Sequence, residues 1–182
     1  MCRAFLQPRG FTLLELVMTV SILAILGSLA VPAFSGMWLD AKRATTVNAF
    51  VHSVFLARSS AVQSGLTVTL CRSTDLQTCS HQLLDWQAGW IVFVDTDDDL
   101  PPVRDPDERV IDVFQGGQGA DITSNRLSYS FRPHVHRVVN GAVVFCDRRG
   151  SSHARAVIIN SAGRPRVSSL DSNNRPLRCP SG

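Results

Sequence analysis

The chain has 182 residues and a mass of 19.9 kDa, room for one ordinary domain and not for two full ones. Apolar residues make up 45% and charged residues only 18%, a balance that excludes a disordered chain. A net charge of +3 is too small for the whole chain to be a nucleic-acid binder, but the charge is divided: residues 85–121 hold ten acids and two arginines, residues 122–182 ten arginines and two acids. A split of this kind points to a charged partner for one part.

The first ten residues, MCRAFLQPRG, are short and carry Arg3 and Arg9. Residues 11–34 follow as FTLLELVMTVSILAILGSLAVPAF, with Glu15 as their one charge. As a helix this run covers roughly 36 Å at ~1.5 Å per residue, enough for a hydrocarbon core of about 30 Å. The flanking arginines keep the N-terminus cytoplasmic and place the rest outside. A cleaved secretory signal fits poorly, because such signals hold ~7–15 apolar residues before a small-x-small cleavage site. An ordinary signal anchor fits better, yet leaves Glu15 unexplained. A carboxylate in an apolar span is costly and marks a functional position with a cationic partner.

Past Pro32, which can kink the helix, Val47, Phe50, Val51, Val54, Phe55, Ala61 and Val62 recur at helical spacing, with polar residues between them. This stripe needs a sheet to cover it. Gly65 supplies a stop, so the spacing predicts a helix over 11–64. Beyond it the period changes to two. The expected strands are 66–71, 90–94, 110–114, 127–132, 142–146, 156–160 and 164–168, separated by Pro101-Pro102, Gly116-Gly117-x-Gly119, Asn140-Gly141 and Gly163. Asn140-Gly141 is the strongest hairpin signal. The expected fold is α+β: a long N-terminal helix, transmembrane in its first half, packed on a small antiparallel β domain over 65–182.

Gly10-Phe11-Thr12-Leu13-Leu14-Glu15, between a basic leader and an apolar helix, resembles the signal of type IV pilins and pseudopilins. The resemblance implies cleavage by a prepilin peptidase between Gly10 and Phe11 and N-methylation of Phe11. It also implies that Glu15 pairs with the Phe11 amine of a neighbouring subunit, neutralising two charges in an apolar filament core. Trp86-x-x-Gly89-Trp90 with the run to Asp95, Glu108-Arg109-Val110-Ile111, Phe145-Cys146 and Ile158 ahead of Gly163-Arg164-Pro165-Arg166 resemble the GspH/FimT family of minor pilins and pseudopilins. That resemblance implies a single-pass inner-membrane protein anchored by residues 11–34. Its globular domain would be periplasmic, and it would join a pilus or pseudopilus with other major and minor pilins. A type IV pilus and a type II secretion system both remain open as the machine.

Cys2 falls in the leader. Cys71, Cys79, Cys146 and Cys179 form an even set in an oxidising compartment, where disulfides are expected. Of the three pairings, Cys71–Cys79 would close a short polar loop and Cys146–Cys179 would pin the polar tail. A zinc site on Cys79 and His81 lacks the ligand spacing. Asp95-Thr96-Asp97-Asp98-Asp99 resembles a calcium loop, but Leu100 and Pro106 stand where an EF-hand needs Gly and Glu; an irregular site or a plain acidic turn remain. His134 and His136 share a strand face, and two ligands make no metal site. No Gly-x-Ser-x-Gly, His-Glu-x-x-His or P-loop occurs, so neither an enzyme nor a cofactor nor a small-molecule substrate is expected.

The arginine-rich end is the remaining candidate. Arg148, Arg149, Arg164, Arg166, Arg175 and Arg178 can fork onto phosphate oxygens, and Arg164 and Arg166 alternate toward one side of a strand. The alternatives are a solvated face or pairing with the acidic 85–121 stretch. The Gly-Arg-x-Arg pattern at Gly163–Arg166 resembles the motif through which FimT-like minor pilins contact DNA during uptake, which adds DNA as an expected partner.

Overall fold

The computed structural model describes residues 10–81, 85–117, 121–133 and 140–180, with only the backbone described over 29–33. Arg3, Arg9, Cys2, Gly119, His134, His136 and the side chain of Pro32 therefore lie outside the described residues. Two compact units are present, residues 1–41 and 42–182.

Helix α1 spans Leu13–Ser64 and continues helical through position 32. In the first unit most of its described side chains over 13–28 are apolar and exposed, among them Leu13, Leu14, Leu16, Val17, Ile22, Leu23, Ile25 and Leu26, with Glu15 the one charge. Among the described residues no helical stretch is long and apolar enough to cross a membrane. The described run from Leu13 to Ser28 covers about 24 Å at ~1.5 Å per residue, and the side chains of 29–33 fall outside it.

The second unit carries two antiparallel sheets. One has the order β3-β2-β1-β5, built from β1 (Thr67–Arg72), β2 (Gly89–Asp95), β3 (Val110–Gln115) and β5 (Ser128–Phe131). The other has the order β4-β6-β7-β8, built from β4 (Asp121–Ser124), β6 (Gly141–Cys146), β7 (Arg155–Ile159) and β8 (Pro165–Ser168). The helix from Val47 onward buries Val47, Phe50, Val54, Ala57 and Ala61 against the inner faces of both sheets. Phe50 is fully buried, with ring edges on Trp86 (5.7 Å), Trp90 (5.3 Å), Tyr129 (6.2 Å) and Phe145 (5.8 Å). The polar atoms that come with these rings are paired. Trp90 Nε1 donates to Ser53 Oγ at 3.0 Å, Ser53 donates to Asp112 at 2.9 Å, and Trp86 Nε1 donates to the Arg126 carbonyl at 3.0 Å. Burial pushes the Tyr129 hydroxyl up to about 12.

All seven residues of β2 are buried, which is why it reads as an unbroken apolar run rather than an alternation. Its inner face meets α1. Its outer face, Ile91 and Phe93, packs with Cys71, and Leu76 and Cys79 of the following loop lie over it. The second sheet repeats the arrangement: Cys146, Ala156 and Ile158 are covered by Leu177 and Cys179 of the tail. A disulfide holds each cover, Cys71–Cys79 with a Cα–Cα distance of 5.6 Å and Cys146–Cys179 with 5.9 Å.

Three expectations change. Phe55 and Val62 are 49% and 68% exposed. The inward stripe runs 47, 50, 54, 57, 61, and each lies one position, about 100°, past it; Ala57 takes the inward place. Among the described residues Asn140-Gly141 does not join two paired strands, because β5 pairs with β1 while β6 pairs with β4 and β7. Gly141 meets a packing need instead, since a Cβ there would stand 2.9 Å from the Tyr129 ring. Strand β4 was not expected, because Ile122 alone of its residues is buried.

Candidate functional site

The N-terminus is built by a cap. Thr12 precedes the first helical residue and its Oγ1 accepts the Glu15 N–H at 3.3 Å, while its carbonyl accepts the Leu16 N–H at 3.1 Å. Glu15 thus occupies the third helical position, where an acid faces the positive end of the helix dipole. Gly10 and Phe11 lie outside the helix and are exposed, so the peptide bond between them is accessible.

The glycines of the sequence motif have a steric cause. Gly89 holds φ of 141°, and a Cβ there would run into the Phe114 carbonyl. That close approach lets Phe114 stack on Trp90 with centroids 4.0 Å apart. Gly163, at φ 70°, closes the β7–β8 turn, where Asn160 Oδ1 accepts the N–H groups of Ala162 (3.0 Å) and Arg164 (2.9 Å). The Asn160 N–H bonds the Arg164 carbonyl at 3.2 Å. In an antiparallel ladder the bonded pairs alternate. Arg166 therefore faces Ile158 in the ladder, and Pro165 and Val167 turn their backbone to the free edge of β8.

Arg166 shares its face with Ile158, the face covered by Leu177. Arg164 and Arg166 are exposed, and among the described residues no acid pairs with either. Arg175 and Arg178 line a surface depression with Val144, Asp171, Pro176 and Leu177. Val144 neighbours Ala156 across the ladder, so this depression belongs to the same face. The Asp171 carboxylate turns into its own hairpin, accepting the N–H groups of Asn173 and Arg175, each at 2.8 Å. The Arg175 N–H leads in holding its pKa below the ordinary value.

Arg148 is exposed, but Arg149 is committed elsewhere. Its fork grips Asp147 at 2.7 and 3.0 Å, and Arg43 of α1 reaches the same carboxylate at 3.2 Å. The hydrogen bonds from Arg149 are the first cause holding Asp147 down at about 2. Sequence reasoning missed Arg43 and Asp147; the Asp-x-Arg spacing was the available signal. It also missed Leu177, a lone apolar residue in a polar tail. Arg132 is drawn to the acidic stretch and forks onto Asp98, with Nε at 2.8 Å.

The acidic turn is knit by its own hydrogen bonds. Glu108 accepts the Thr96 N–H at 2.6 Å, the Thr96 hydroxyl at 3.1 Å and the Asp105 N–H at 3.1 Å. Buried Asp95 accepts from Thr69 and from the Asp98 N–H, both at 2.8 Å, and burial raises its pKa. Asp95, Asp97 and Asp99 each offer an oxygen, all within 4.8 Å of one another.

No curated protein matches the chain. Two crystal structures of the type IV minor pilin FimU of Pseudomonas aeruginosa (strain PAO1) share its fold. One is 17% identical with a TM-score of 0.51, covering 75% of this chain and 97% of that one; the other is 18% identical with a TM-score of 0.50, covering 80% and 98%. Residues 7–31 match the prokaryotic N-terminal methylation motif, and residues 46–163 match the family described as Type II transport protein GspH. The fold and the family are those of pilin structural proteins, and the chain belongs to the GspH family of minor type IV pilins and pseudopilins.

Proposed function

We propose that this chain is a minor type IV pilin that assembles at or near the pilus tip, primes assembly and contacts DNA during uptake. In this reading residues 1–10 are a leader removed by prepilin peptidase, and Phe11 is then N-methylated. Residues 11–64 are the anchoring and assembly helix, and 65–182 the periplasmic domain. The largely apolar, exposed surface of residues 13–28, with Glu15 its one charge, suits a bilayer or a filament core better than water. Glu15 would there meet the Phe11 amine of a neighbour. The DNA reading is carried by one observation: Arg164 and Arg166 stand exposed on the β7–β8 hairpin without an acidic partner among the described residues. Arg148, Arg175 and Arg178 supplement them, whereas Arg149 is held by Asp147.

The test is fluorescence anisotropy of labelled duplex DNA with the full chain in neutral detergent across a salt series. Non-specific affinity on the order of 10⁻⁴–10⁻⁶ M is expected near physiological salt, with log affinity falling linearly against log salt. Replacing Arg164 and Arg166 together by Gln should flatten that line by roughly 1.8, about 0.9 per phosphate contact. No binding at low salt would favour the second reading, an H-type pseudopilin of a type II secretion system, which the family description supports.

A further inference from the structure

The outer face of the second sheet is made of two chain segments. Arg164 and Arg166 are fixed by a ladder and a turn whose backbone bonds are all local to β7 and β8. Arg175 and Arg178 are held differently. Their segment leaves β8, turns back on itself through the Leu170–Pro176 bridge and reaches the sheet at Leu177. Among the described residues three anchors keep it there: the 4%-exposed Leu177 side chain, the Cys179 N–H on Ser151 Oγ at 3.1 Å, and the disulfide from Cys179 to Cys146 on β6. The disulfide is the covalent one of the three, and Arg178 is the residue next to it.

We propose that the Cys146–Cys179 disulfide pre-organises the polyanion-binding face, by holding Arg175 and Arg178 on the same side of the sheet as Arg164 and Arg166. The inference rests on the DNA-binding reading given above and adds to it a division of labour. The hairpin arginines need no tether. The tail arginines meet a phosphate backbone without a further loss of chain freedom only while the tail is pinned. A freed tail keeps its charges but must be ordered at each encounter, a cost of roughly tenfold in affinity for every residue of backbone newly fixed. Affinity and salt dependence therefore separate: the salt slope counts phosphates contacted, and the intercept records how well the face is prepared.

The experiment is a double-mutant cycle on the full chain in neutral detergent, with labelled duplex DNA as the probe. Cys146→Ser/Cys179→Ser should bind about tenfold more weakly than the oxidised wild type. In an Arg175→Gln/Arg178→Gln background, cutting the disulfide should change nothing further. In an Arg164→Gln/Arg166→Gln background it should still cost the full factor. Near-ultraviolet circular dichroism verifies that each variant keeps its core, and the Arg175→Gln/Arg178→Gln chain, with both disulfides, reads the tail contribution even if a cysteine variant misfolds. Cys71→Ser/Cys79→Ser, on the other sheet, should bind as wild type. If the Cys146/Cys179 variant binds normally, if its loss persists once the tail arginines are gone, or if Arg175→Gln/Arg178→Gln alone has no effect, this inference fails while DNA binding stands. If the oxidised wild type binds no DNA at low salt, both fail.

Discussion

Asp147→Asn isolates the junction between α1 and the second sheet. Asp147 is 7% exposed and receives Arg43 from the helix and Arg149 from its own loop. Its carboxyl is held at about 2, against an ordinary 3.8. At about 1.4 kcal/mol for each tenfold change in proton affinity, the charged carboxylate contributes about 2 kcal/mol of stability at neutral pH. Because the folded-state value is depressed, that stability is full well above the unfolded-state value and is lost as pH falls through the folded one. Roughly half of it should survive at pH 3. The variant should therefore be less stable than wild type by about 2 kcal/mol at pH 7 and by roughly half as much at pH 3. Urea unfolding of the full chain in detergent, followed by near-ultraviolet circular dichroism of the buried Trp86 and Trp90, measures both gaps. Comparing the two proteins at each pH cancels every other carboxylate. An equal gap at both pH values would show that the loss comes from packing and not from charge, and the ion-pair account would be wrong.

Phe50→Ala should cost about 3–5 kcal/mol, since it empties the centre of the aromatic cluster, while Phe55→Ala should stay within about 0.5 kcal/mol; similar costs in thermal melts would sink the assignment of helix faces. Gly89→Ala should unfold or severely destabilise the second unit, because both the backbone angle and the Phe114 carbonyl exclude a Cβ; a wild-type melt would refute this. Mass spectrometry of the protein from a host with prepilin peptidase should find methylated Phe11 at the N-terminus, and an intact Met1 would contradict the processing proposal. Glu15→Val should leave membrane insertion intact and lower incorporation into filaments, as read by immunoblot of sheared filaments.

The helix and most strands were legible because their signals are local. Gly65 stops α1 next to Ser64, and the apolar run at 90–94 has the length of a strand doubly buried. Which strands pair was not legible. Asn140-Gly141 looks like a hairpin from the sequence alone, and the crowding of Gly141 by Tyr129 becomes visible only once β5 and β6 lie in separate sheets. Strand β4 escaped because the second sheet, not its own composition, makes it a strand. The candidate arginines were legible as a charge excess. The commitment of Arg149 to Asp147 was legible in their spacing, whereas the arrival of Arg43 at the same carboxylate, more than a hundred positions upstream, was not. The same holds for Phe55: its apolar character was clear, and the helical phase that turns it outward was set by Phe50 and Val54.

Pro165 sits where β8 turns its backbone to the free edge of the second sheet. A proline there gives up no ladder bond, because the missing N–H would have pointed away from β7. It does deny a neighbouring strand one of the donors it would need in order to add on. For a protein whose family assembles with copies and relatives at close quarters, an open strand edge is a competing way to polymerise. Blunting that edge closes one route by which a second chain could add to the sheet.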